Sequence, residues 1–223
     1  MEKYILTRKR LREICADYRH YFSDKKFVLA VILGAFFFLT SLAIDNFAAL
    51  YADHHASNYV TDILLDNIPV FNVNFIVNEV LCLFIYIIAF FILAKPQRLP
   101  FVLKSLALFV LIRSIFITLT HLGVPPSHSY LNPNDWLSSI AGGQDLFFSG
   151  HTGMPFLLAL IFWNDKPIRW TALVGTVIFG SAVILGHLHY SIDVFSAFFI
   201  TYTIFEIAKK IFPQDYQFLI STP

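Results

Sequence analysis

His189 and Asp193 stand four residues apart in the string His187-Leu188-His189-Tyr190-Ser191-Ile192-Asp193. On a helix that spacing puts both on one face, one turn apart. A carboxylate so placed accepts the Nδ1 proton of the imidazole, fixes its tautomer and leaves Nε2 as a nucleophile or base. A second string runs Asp145-Leu146-Phe147-Phe148-Ser149-Gly150-His151-Thr152 and opens an apolar stretch. Ser149 and Gly150 would sit at a helix N-terminus, where free backbone N–H groups and the positive end of the dipole favour an anion. Arg113 lies inside a third apolar stretch, where a guanidinium costs several kcal/mol unless it is paired or faces a wet cavity. Its planar fork matches phosphate oxygens bidentately, which makes it a candidate phosphate clamp; a structural ion pair with Glu79 is the plainer alternative. His187, His189, Asp193 and His151 could instead converge on zinc. Phosphate chemistry gives Arg113 a use that zinc does not, so neither metal nor cofactor is expected. His187, His128, Glu79 and Asp145 are candidates for proton relay or support, and ordinary outer-face polar residues are the simpler reading of each.

The elements that must position these groups are membrane helices. The chain has 223 residues, 57% hydrophobic and only 14% charged, against roughly 25% charged in ordinary soluble proteins. Six apolar runs, about residues 27–51, 73–94, 100–120, 147–163, 170–188 and 190–208, are of a length to cross a bilayer. They leave no room for a second soluble domain. The expected fold is all-α: a six-helix membrane bundle over 27–212, with a basic N-terminal segment at 1–26 and a tail at 213–223. A charged segment precedes the first run, whose apolar core is too long for a signal peptide, so it reads as a retained helix.

Basic residues set the orientation. Lys3, Arg8, Lys9, Arg10, Arg12, Arg19, Lys25 and Lys26 precede the first run; Lys95, Arg98, Lys104, Lys166, Arg169, Lys209 and Lys210 flank later turns on the same side. The opposite connections, 52–72, 121–146 and the turn near 189, carry no Lys or Arg. Both termini are therefore expected in the cytoplasm, with the histidine motifs on the exoplasmic side. Leu6, Leu11, Ile14, Tyr18 and Tyr21 recur at roughly helical spacing among basic residues, which reads either as an interfacial helix or as a solvated basic arm. Cys15 and Cys82 offer no disulfide framework. A net charge of +1 names no partner, and no nucleic acid is expected.

The Ser149-Gly150-His151-Thr152 string preceded by Asp145, together with His189-Tyr190-Ser191-Ile192-Asp193 before a Phe-rich helix, resembles the sphingomyelin synthase branch of the type 2 phosphatidic acid phosphatase superfamily. Arg113, Thr118, Thr120, Pro125, Pro126 and His128 are similar to that branch's segment after its third core helix. The resemblance is good over 105–205; before that it rests on helix pattern and the acidic stretch Asp62 to Pro69. Ordinary lipid phosphatases of the superfamily carry a Lys followed seven residues later by Arg-Pro, and an Arg six residues before the second-motif His. Here that Lys pattern is missing and the sixth residue before His189 is Val183.

One clamp arginine suits a phosphodiester, which carries one negative charge, better than a phosphomonoester, which carries nearly two. The resemblance implies a phospholipid head-group phosphotransferase or phospholipase C type enzyme acting on phosphatidylcholine or phosphatidylethanolamine. His189 would form a phosphohistidine, His151 would act as acid then base, and ceramide or water would accept the phosphoryl head group. Tyr51, Tyr59, Tyr130 and Trp136 could cage a choline or serve as interfacial belt residues. A phosphatase for phosphatidic acid is the alternative. A proton-coupled or anion transporter is a weaker one, because the charged groups crowd toward one face and no inverted repeat is evident.

Overall fold

The computed structural model describes residues 2–129 and 146–220, with side chains from residue 11. Among them every regular element is helical. Helix α1 covers Glu2–Ser23 and α2 covers Lys25–His54. A π-helical turn at Ile76–Val80 runs into α3, Leu81–Leu93. A 3-10 turn at Pro96–Arg98 runs into α4, Leu99–Leu119. Then come α5, Gly150–Ile161, α6, Lys166–Leu185, α7, Ser191–Ile211, and α8, Pro213–Ile220.

Five helical stretches among the described residues are long and apolar enough to cross a membrane: 25–54, 76–93, 96–119, 166–185 and 191–211. The run expected at 147–163 instead yields α5, a 12-residue apolar helix. At 1.5 Å per residue it measures about 18 Å, against a hydrocarbon layer of ~30 Å. The difference arises at both ends. Phe147 and Phe148 are apolar but precede the N-cap Ser149, whose backbone is extended (φ −60°, ψ 115°). Beyond Ile161 the chain turns through Phe162 to Asn164 into α6.

Helix α2 shows why an apolar sequence still packs specifically in lipid. Phe27, Gly34, Ser41 and Ala48 recur every seven residues and are its buried positions together with Ala52. That narrow seam, built mainly of small residues, lies against α4, as expected where van der Waals fit rather than hydrophobic burial holds helices together. At Gly34 a Cβ would stand 3.1 Å from the Leu103 Cβ. Leu29, Ile32, Phe36, Leu39 and Phe47 point outward.

Helix α4 is the centre of the bundle, packed on α2 and also on α5 and α7. Phe109 sits edge-on to Phe148, ring centres 5.3 Å apart, and a Cβ on Gly153 would come within 2.7 Å of the Phe109 ring. Helix α3 joins through Phe84, edge-on to Phe179 of α6 at 5.4 Å.

The two ends of the bundle are built differently. At the basic end, Arg98 bonds Asp165 and the Phe91 carbonyl, and the buried pair Lys104–Asp215, 2.6 Å apart, holds α8 against α4. The expected tail at 213–223 is thus a packed helix up to Ile220. Tyr18 of α1 donates to the Leu93 carbonyl at 2.9 Å. At the histidine end the connections interlace through main-chain bonds. Ser57 donates from N and Oγ to the His121 carbonyl (2.9 and 2.6 Å). Gly123 N donates to the Asn58 carbonyl (3.3 Å), and a Cβ there would lie 2.3 Å from the Ser57 carbonyl. Tyr190 Oη donates to the Gly123 carbonyl and accepts from Val60 N.

Candidate active site

Ser149 caps α5, its side chain accepting from Thr152 N at 3.4 Å and from the Thr152 hydroxyl at 3.3 Å. Gly150 is the first helical residue and lies directly on Arg113: a Cβ there would be 3.4 Å from the Arg113 Nε. Pro155 stands inside α5. Having no N–H, it leaves the His151 carbonyl without its intrahelical donor.

Arg113 is buried, 6% exposed, and its Nε donates to the Phe148 carbonyl at 3.0 Å. Its Nη1 is 3.6 Å from the Asp45 carboxylate of α2, whose other oxygen accepts from Ser114 Oγ at 2.9 Å. Among the described residues, the carboxylate set against Arg113 is therefore Asp45. Glu79, the partner considered from sequence, is exposed on the π turn.

The other half of the site is the entry to α7. Tyr190 N donates to Asp193 at 2.9 Å, closing a capping box at this N-terminus. The same carboxylate oxygen lies 3.5 Å from His189 Nδ1. Asp193 is fully buried, and among the described residues its other oxygen has no hydrogen-bond partner, nor has His189 Nδ1. The four-residue spacing does bring the pair together, although His189 precedes the helix and the extended N-cap Tyr190 stands between it and the first turn of α7.

The halves meet directly. Ser149 N donates to the Asp193 carbonyl at 3.0 Å. The rings of His151 and His189 face edge-on with centres 6.1 Å apart. Arg113, Ser149, Gly150, His151, His189 and Asp193, drawn from three helices and two motifs, thus line one region.

The supporting candidates divide. His187 is buried with φ 52°, a left-handed conformation unusual outside glycine, and its Nδ1 is 2.9 Å from the Ser127 carbonyl. Its Nε2 is buried, with no hydrogen-bond partner among the described residues. His128 bonds locally, Nδ1 to the Pro125 carbonyl at 3.0 Å. Asp145, like Tyr130 and Trp136, lies outside the described residues. Among the described residues no three His, Cys, Asp or Glu side chains are grouped so as to hold a metal ion.

Two residues gain a role at the site only from the structure. Asp45 is the one charged residue in the first apolar run, and that isolation was its signal. Asp62 accepts from Ser191 N at 2.7 Å and from Leu64 and Leu65 N, so it ties the 52–72 connection to the start of α7. Burial pushes its carboxyl up, but the N–H groups of Ser191, Leu65 and Leu64 outweigh this and hold it below its ordinary value.

Residues 143–211 match the PAP2 superfamily C-terminal family. The match takes in both histidine motifs, α5, α6 and α7, which is under half of the chain, and supports a place in the type 2 phosphatidic acid phosphatase superfamily. Proteins of that superfamily are generally phosphatases or phosphotransferases. No curated protein and no solved structure matches the chain.

Proposed function

We propose that the chain is a membrane phosphotransferase that moves the head group of a phosphodiester lipid, phosphatidylcholine or phosphatidylethanolamine, through a phosphohistidine on His189, with ceramide as the acceptor. The observation that carries this reading is the convergence of the His189–Asp193 pair, His151 and the Arg113-backed N-terminus of α5 on one region. No cofactor is called for.

His189 Nε2, its Nδ1 turned to Asp193, attacks phosphorus and forms the N–P bond. The P–O bond to glycerol breaks, its electron pair stays on the glycerol oxygen, and protonated His151 donates the proton that completes diacylglycerol. Neutral His151 then takes the proton of the incoming hydroxyl, whose oxygen attacks phosphorus while the N–P pair returns to His189. Arg113 and the N–H groups at Gly150 and His151 hold the non-bridging oxygens throughout. Asp45 strengthens the preference for a diester. At 3.6 Å from Arg113 it offsets part of the one fixed positive charge, leaving less for a doubly charged phosphomonoester.

In this reading α5 is the fourth of six crossings, since it begins at the histidine end and hands over to α6 at Lys166 on the basic end. Both termini then lie in the cytoplasm and the site opens exoplasmically.

The test is incubation of the purified protein in liposomes with fluorescent phosphatidylcholine, phosphatidylethanolamine or phosphatidic acid, with and without ceramide. Diacylglycerol together with a head-grouped ceramide supports the proposal, and His189→Ala should abolish both. Diacylglycerol without a ceramide product makes water the acceptor; turnover of phosphatidic acid alone refutes the diester assignment.

A further inference from the structure

A cavity of about 950 Å³ opens at the end of the bundle opposite the two histidine motifs, between the α3–α4 turn, the α5–α6 turn, α7 and α8. Its size lies at the upper end of the ~300–1,000 Å³ usual for small-molecule sites. It adjoins the C-terminal end of α5, whose Leu160 and Ile161 are part of its wall.

Its lining is basic on balance. Lys95, Arg98 and Lys166 face a single acid, Asp165, and Arg98 already pairs with Asp165. Lys95 and Lys166 make no ion pair among the described residues, so two ammonium groups are left over. Trp163 and Tyr202 also line the cavity and are half exposed on the flank of the bundle. Two left-over cations beside an apolar, aromatic flank match one chemistry: a head group of net negative charge attached to acyl chains.

We propose that this cavity is a binding site for an anionic glycerophospholipid of the basic-side leaflet, its phosphate between Lys95 and Lys166 and its chains along Trp163 and Tyr202. The site is separate from the one at His189 and goes beyond the transfer reaction.

Trp163 provides the readout. In a Trp136→Phe, Trp170→Phe background, the full chain is placed in phosphatidylcholine vesicles containing a small share of dibromo-acyl phosphatidylglycerol or, in parallel, of dibromo-acyl phosphatidylcholine. The phosphatidylglycerol probe should half-quench Trp163 at roughly a tenfold lower share, and Lys166→Gln should reduce that preference about fivefold, the worth of one lysine near a membrane surface. Lys166 is exposed and sits in the first turn of α6, where a cation gains nothing from the dipole, so this variant should fold. Lys25→Gln with Lys26→Gln, which removes two exposed charges away from the cavity, should leave the preference intact. Equal quenching by the two probes, a preference that survives Lys95→Gln with Lys166→Gln, or displacement by soluble glycerol phosphate each overturns the proposal. Phosphodiester turnover by the native chain in the same vesicles is measured separately, so a failure of the transfer reading is distinguished from a failure of this one.

Discussion

Asp193→Asn separates the charge of the carboxylate from its shape. In the native site one oxygen of Asp193 accepts from Tyr190 N at 2.9 Å and lies 3.5 Å from His189 Nδ1, while the other oxygen is unpartnered. An asparagine keeps both of the first oxygen's roles when its NH2 takes the place of the unpartnered oxygen. The α7 cap then survives, and the cost in stability is about 1–2 kcal/mol for a buried, unsatisfied donor. What disappears is the negative charge beside the imidazole as it turns cationic in the transition state. A unit charge pair at ~4 Å is worth about 4 kcal/mol at an effective dielectric constant of ~20, or on the order of a thousandfold in rate. The assay is single-turnover release of diacylglycerol from a fluorescent phosphodiester lipid, with thermal melting run in parallel. A folded Asp193→Asn protein within tenfold of the native rate would refute the role given to this pair.

Asp45→Asn should raise the relative turnover of phosphatidic acid over phosphatidylcholine, because it removes the charge 3.6 Å from Arg113 while an amide oxygen can still accept from Ser114; an unchanged product ratio would show that Asp45 has no part in substrate charge. Gly153→Ala should lower stability by about 1–3 kcal/mol, since its Cβ would fall 2.7 Å from the Phe109 ring and 2.9 Å from Thr201 Oγ1; a melting temperature equal to native would mean that this packing is slack. Asp62 is held below its ordinary carboxyl value, so its stabilising contribution is complete above about pH 4 and fades as pH falls through the lowered value. The melting temperature should therefore drop more steeply on acidification in the native chain than in Asp62→Asn, and identical acid slopes would contradict the assignment.

Much of the bundle can be read from residue types because lipid imposes long apolar helices. The site motifs were also legible, since Ser149 with Gly150 and His189 with Asp193 are local patterns. What escaped depends on contacts between distant segments or on where the backbone bends. Nothing in the run around Asp45 names Arg113, sixty-eight positions later, as its neighbour. Phe147 and Phe148 look like the start of a span, yet the Phe148 carbonyl is turned to Arg113 before the helix begins. The tail beyond 212 reads as an exposed end until Asp215 is seen against Lys104.

The bond from Ser149 N to the Asp193 carbonyl joins the two motifs through main-chain atoms alone. Every residue type except proline supplies that donor, and every type supplies that acceptor. Side chains around the two motifs can therefore change without uncoupling the strings that carry the two histidines. A proline at position 149, by contrast, removes the link in a single step.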